Sequence, residues 1–119
     1  MKPLIWMGGS RGDLTAMPES VKKDFGGALH GVQLGHSPEG AKALKGKCKG
    51  ATQLSEDHDG ETYRAVYTTE LEGVVYVLHC FHKKSKSGVA TPQADLDLIE
   101  SRLKDARRLR ELRSKKQDG

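Results

Sequence analysis

The sequence predicts an α+β domain, and three observations predict it. An unbroken apolar run, Val74-Val75-Tyr76-Val77-Leu78, is rich in β-branched and aromatic residues, as in a strand buried on both faces. An Asp59-Gly60 pair separates two strand-like runs, and Asp-Gly accepts the positive φ of a type I′ hairpin turn. Helically spaced apolar stripes flank these strands. Val21, Phe25, Ala28, Leu29 and Val32 precede them, and Leu96, Ile99, Leu103 and Ala106 follow.

Leu4-Ile5-Trp6-Met7 is a short strand candidate, closed by Gly8-Gly9-Ser10-Arg11-Gly12 and a helical turn at Asp13–Met17. Pro18 suits the first position of the helix that follows, with Glu19 favourably placed in its first turn. Gly26, Gly27 and Gly31 each weaken that helix by roughly 1 kcal/mol relative to alanine, which close packing on a sheet would justify. Gly35–Gly40, with Pro38, ends it. Ala41–Ala51 reads as a Gly/Lys loop. A polar, weak or edge strand near Thr52–Asp57 pairs across Asp59-Gly60 with Glu61–Thr69, and the turn at Glu70–Gly73 leads into the apolar strand. Three successive antiparallel strands form a meander. Thr91-Pro92 then starts the last helix, with Asp95 near its positive end.

The 119 residues suffice for one domain with a modest core, since only 35% are apolar. The expected boundary falls at Ala106, with 107–119 a basic extension that protrudes or frays. Residues Arg102–Gly119 carry eight cations and three acids. Cys48 and Cys80 form no CxxC pair and no disulfide framework, so reduced thiols are expected. No apolar stretch approaches the roughly 20 residues of a membrane span, and no signal-peptide pattern opens the chain. The expected compartment is the cytoplasm, with no membrane partner. Arg11-Gly12-Asp13, Asp24-Phe25-Gly26 and the early glycines match short motifs whose companions are missing.

A net charge of +4 says less than its distribution. No acidic residue lies between Glu39 and Glu56, or between Glu72 and Asp95. The first interval holds Lys42, Lys45, Lys47 and Lys49; the second holds Lys83, Lys84 and Lys86. If the two segments meet, they make one cationic surface suited to a phosphate backbone. Arg64, inside the strand Tyr63–Tyr67, needs an acidic partner or a groove. Tyr63 and Tyr67 belong to the opposite, core face. Regular alternation puts Val75, Val77, His79 and Phe81 on one side of their strand, and Tyr76, Leu78, Cys80 and His82 on the other. His79 and His82 therefore cannot jointly hold a metal, and Cys80 with His82 makes no zinc site; no metal or cofactor is expected. Metal-free RNA cleavage needs a group that helps deprotonate the 2′-OH, cations on the phosphorane and a donor for the leaving oxygen. Lysine, arginine and histidine can supply all three.

The segments KPLIWMGGSRGDL, MPESVKKDFGGAL, KALKG, EDHDGETYRAVY and VYVLHCFHKKSKSGVATPQADLDLI resemble HigB-like toxins of phage-derived type, in the RelE/ParE superfamily. The resemblance runs from Lys2 to about Ala106 and implies a RelE-like α+β fold with a small, curved, antiparallel-rich sheet. It also implies a toxin of a type II toxin–antitoxin system that cleaves mRNA at the ribosome and is neutralised by a helix-turn-helix antitoxin. Lys45, Arg64, Lys83 and Lys84 match the family's basic positions. On this basis Arg64, Lys83, Lys84 and His82 are the expected catalytic residues, with His82 moving the proton. Lys42, Lys45, Lys47 and Lys86 are the expected RNA grip. A non-catalytic nucleic-acid-binding module and a gyrase-directed ParE-like toxin are the competing expectations.

Overall fold

A computed structural model describes residues 1–83 and 90–118, with side chains as far as Arg113. Eight elements follow in order, with a 3-10 turn among them. They are β1 (Leu4–Trp6), α1 (Ser10–Thr15), α2 (Glu19–Gln33), β2 (Lys42–Ala43), the 3-10 turn Gly46–Cys48, β3 (Ala51–His58), β4 (Glu61–Thr68), β5 (Val75–Lys83) and α3 (Gln93–Asp118). The fold is α+β, as expected from the sequence, and consistent with a RelE-like arrangement.

The strands form one mixed, curved sheet in the order β1-β5-β4-β3-β2. The meander β3-β4-β5 is antiparallel, whereas β1 lies parallel to β5 through Leu4–Trp6 against Val75–Val77. Asp59 (φ 49°) and Gly60 (φ 80°) both adopt positive φ at the β3–β4 turn, which realises the hairpin written in the sequence. β2, two residues long, pairs with Thr52 and Gln53 inside the stretch whose sequence predicts a loop. β3 is thus an interior strand at its start and an edge strand only beyond Gln53.

Each face of the sheet is covered by helix. On one, the α2 stripe Val21, Phe25, Leu29 and Val32 packs with Leu14 and Met17 against Leu54, Tyr63, Ala65, Tyr67, Val75, Val77 and Cys80. On the other, Ile99, Leu103 and Ala106 of α3 meet Met7, Val66, Val74, Tyr76 and Leu78. Those three α3 residues are fully buried, and each large apolar one contributes about 1.5–3 kcal/mol by leaving water. Past Ala106, α3 neither breaks nor frays at once. Arg107 Nε donates to Glu70 Oε1 at 2.7 Å and Arg110 donates to the Glu72 carbonyl, mooring the next turn to the β4–β5 connection.

Two details of α2 differ from expectation. Pro18 sits at the N-cap position with extended ψ (147°), one place before the helix proper. Gly26 and Gly27 are exposed, and a methyl group added at either would meet nothing within 4 Å. Close packing therefore does not explain them. Gly27→Ala is expected to stabilise the protein by about 1 kcal/mol, read as a higher urea midpoint.

Glu56 of β3 holds a carboxyl pushed up to about 7, by burial first and then by a hydrogen bond and repulsion from Asp24 of α2. Its Oε2 is buried and meets no donor among the described residues. Below about pH 4.5 the folded and unfolded chains both keep this proton. Between about 4.5 and 7 the unfolded chain releases it first, so stability falls as pH rises, and the full penalty stands above 7. Glu56→Gln is expected to stabilise by on the order of 1 kcal/mol at pH 8 and by much less at pH 4. Chemical denaturation at the two pH values checks it.

Candidate nucleic-acid interface

The site begins with an irregularity in strand pairing. Between β4 and β5 the register runs Thr68↔Tyr76 and Tyr67↔Val77, then jumps to Val66↔His79, Ala65↔Cys80, Arg64↔Phe81, Tyr63↔His82 and Thr62↔Lys83. Leu78 is the extra residue of a β-bulge. Up to Leu78, the side chains alternate as the sequence suggests. Beyond it the faces exchange. His79 and Phe81 turn to the α3 side, and Cys80 joins the α1/α2 core. Regular alternation, which grouped His79 and Phe81 with Val75 and Val77, holds only before the bulge.

The consequence is decisive for the cations. Residues directly opposite in a ladder share a face. Beyond the row Ala51–Thr68–Tyr76, three further rows therefore cross the α3 side of the sheet. They are Lys42–Gln53–Val66–His79, Ser55–Arg64–Phe81 and Asp57–Thr62–Lys83. Arg64, Lys83 and Lys42 lie on this one face. His82 lies on the other, where its exposed ring stacks on Tyr63 at 5.3 Å and lines a hollow of about 390 Å³ with Met17 and Cys80. The structure thus separates His82 from Arg64 and Lys83, and the reason is the single inserted residue. Tyr63 and Tyr67 are core residues, as the sequence suggested.

Arg64 is only 5% exposed. Its Nη1 donates to Thr91 Oγ1 at 2.9 Å, and Thr91 in turn donates to Gln53 Oε1 at 2.9 Å. Lys83 is half-buried, and its Nζ donates to the Ala90 carbonyl at 2.6 Å. Two adjacent residues leading into α3 thus receive the two cations. Thr62 donates to Asp57 Oδ1 at 2.9 Å in the row beside them. Ser55 and Asp57 are exposed, so the face is open toward β3.

The lysine-rich loop divides. Lys42 belongs to the cationic face through its pairing with Gln53. Lys45 and Lys47 are exposed at the 3-10 turn, which Cys48 fastens to α3 by donating Sγ–H to the Leu96 carbonyl at 3.3 Å. None of the three makes an ion pair among the described residues. Lys84 and Lys86 lie outside the described residues. Cys48 and Cys80 are both free and buried, and burial pushes the Cys80 thiol up to about 12, which makes it a packing residue.

A cluster that the sequence did not disclose supports this face. His79 is buried, stacks on Phe81 at 4.5 Å, and holds Asp95 of α3 at 2.7 Å through Nε2. Arg102, a further two turns along α3, donates to the Leu78 carbonyl at 2.9 Å and stands 3.5 Å from His79 Nδ1. An arginine N–H facing Nδ1 fits the tautomer in which Nε2–H donates to Asp95. The same guanidinium lies over Gly8, where an added Cβ would come within 2.6 Å of it at a φ of +54°. The early glycine is therefore a seat for Arg102. The sequence marks Asp95 only as a charge favourable to the helix dipole, because its partner is 16 residues back and on another element.

These geometries stand beside one comparison. A family model for phage-derived Gp49-like proteins (DUF891) matches residues 12–104. The chain belongs to that family. Gp49-like proteins are associated with RelE-like toxins. No curated protein and no solved structure matches the chain significantly. The Gp49-like match spans α1 to the middle of α3, so it contains the bulge, Arg64, Lys83 and the His79–Asp95 pair. Among the described residues, no helix is long and apolar enough to cross a membrane.

Asp95→Ala should leave His79 buried without its carboxylate, at a cost of about 1–3 kcal/mol. The expected readout is a lower urea midpoint with unchanged secondary structure at low denaturant. A midpoint equal to the parent's would show that this pair does not anchor α3.

Proposed function

We propose that this Gp49-like chain is a HigB-like toxin of a type II toxin–antitoxin pair and an endoribonuclease that cuts mRNA at the ribosome. The observation that carries the reading is the convergence of Arg64 and Lys83 on the α3 face of the sheet, beside the part that is open toward β3. A strand bulge joins them there, although 19 positions separate them in the chain. Family membership supports the same reading from an independent side.

In the mechanism, Arg64 binds the non-bridging oxygens of the scissile phosphate and stabilises the phosphorane, as preorganised donors do where charge develops. The 2′-oxygen attacks phosphorus and the bond to O5′ breaks, leaving a 2′,3′-cyclic phosphate and a 5′-hydroxyl. Lys83 donates the proton taken up by O5′, and the 2′-OH proton passes to solvent. His82 enters this scheme only for a strand bent around the outer edge of β5, which β1 leaves uncovered beyond Val77. Lys42 holds a more distant phosphate. By ideal sheet spacings it stands roughly 20 Å from Lys83, a span of several nucleotides. Lys45, Lys47, Lys84 and Lys86 extend the grip on the backbone. The neutralising partner is a helix-turn-helix antitoxin.

Induced expression is expected to arrest growth and to create new transcript 5′ ends. Arg64→Ala should lower kcat by about 10²-fold or more, Lys83→Ala should lower it as well, and both should relieve the arrest while thermal unfolding stays cooperative. If both variants arrest growth like the parent, the assignment is wrong. Salt-sensitive RNA binding without new ends would return the chain to a binding module, and DNA breaks in place of cut transcripts would return it to a gyrase-directed toxin.

A further inference from the structure

Arg64 can act on a phosphate only if its guanidinium points at one place. An arginine side chain has four rotatable bonds, and freezing it on each encounter would cost side-chain entropy every time. In this chain the aim is set in advance. Gln53 projects from β3 on the row next to Arg64, buried to 6% exposure. Its Oε1 accepts from Thr91, which fixes the hydroxyl rotor with its lone pairs toward Arg64 Nη1. The relay is therefore directional. Gln53 orients Thr91, and Thr91 orients the arginine. Thr91 is neutral, so this contact steadies the guanidinium without cancelling its charge. The neighbouring Ala90 carbonyl holds Lys83 at 2.6 Å, so one dipeptide sets the separation of both cations.

We propose that Thr91, backed by Gln53, is a positioning residue for Arg64, and that the lead-in to α3 is thereby part of the RNA-cleaving machinery. This rests on the reading of Arg64 given above. It assigns function to two residues that touch no substrate. It also makes seating of α3 on the sheet, through Ile99, Leu103 and the His79–Asp95 pair, a condition for correct placement of the phosphate-binding charge.

The test compares Thr91→Val, which keeps shape and removes the hydroxyl, with Thr91→Ser, which restores it, and with Gln53→Met. Cleavage of a single-site RNA is followed alongside NMR exchange of the Arg64 guanidinium protons. Thr91→Val should lower kcat about tenfold or more, with KM within about twofold, since the loss is of orientation in the transition state. Guanidinium rotation should speed up in the same variant. Thr91→Ser should recover most of both, and Gln53→Met should fall between. In an Arg64→Ala background Thr91→Val should cost nothing further, because the two act as one unit. Parental kcat or faster cleavage by Thr91→Val, an additive double variant, or unchanged guanidinium exchange would each overturn the proposal. An Arg64→Ala protein that cuts like the parent would instead overturn the reading of Arg64 itself. A parent that cuts nothing would overturn the nuclease reading on which the proposal rests, whereas unchanged guanidinium exchange overturns the coupling of Thr91 to Arg64.

Discussion

One inserted residue in β5 sets the chemistry of this sheet. Without Leu78 as a bulge, the register that begins Thr68↔Tyr76 and Tyr67↔Val77 would continue unbroken, and His82 would face the α3 side beside Thr62. Lys83 would then turn toward α1 and α2, away from Arg64. The bulge reverses both placements and delivers Lys83 to the arginine's face. It also brings His79 under α3, where Asp95 and Arg102 hold it. A strand that must be apolar on both faces as far as Leu78 can thus carry a buried histidine, paired with Asp95, and a lysine beyond it, within a few residues.

The two cores explain why such an irregularity is tolerated. Before the bulge, β5 is clamped between β1 and β4, with Val75 and Val77 in one core and Tyr76 and Leu78 in the other. After it, β1 has ended, so no second ladder has to follow the change in register. The carbonyl of Leu78 is taken by Arg102, so the bulged residue does not bury an unsatisfied acceptor. The helix that crosses this face therefore does two things with one surface. Its apolar stripe closes the second core, while Arg102 bonds the bulge carbonyl and the lead-in residues Ala90 and Thr91 receive the two cations.

What was legible in the sequence is what depends on near neighbours. The Asp59-Gly60 turn, the α2 stripe ending at Val32 and the buried run from Val74 are encoded within windows of a few residues, and all three appear where they were expected. The cationic character of Arg64 and Lys83 was legible too, but not which side Lys83 would face. That depends on pairing between strands, and a period-2 pattern carries no mark of an inserted residue when Val77, Leu78 and His79 are all buried. Lys42–Ala43 was missed because two residues give no periodicity. Local preference marks Thr91 as a helix cap and carries no sign of its bond to a residue 27 positions earlier. The glycines of α2 misled in the other direction, since they suggest a close approach that Gly26 and Gly27 do not make.

Burial falls off across the cationic face, and that gradient separates the tasks of its charges. Arg64 is nearly enclosed, Lys83 half-buried and Lys42 exposed. Salt screens an exposed charge within a few ångströms of bulk ions but reaches a buried one much less. Guanidinium is also the cation best suited to the inner place, because it is planar, weakly hydrated and permanently charged, whereas an ammonium loses more hydration and shifts its proton when enclosed. On the proposed function the outer lysines would govern how readily a polyanion is gathered and how strongly ionic strength opposes it. On the same reading the inner arginine would set where one phosphate comes to rest, with the neutral Thr91 hydroxyl among the groups that hold its guanidinium.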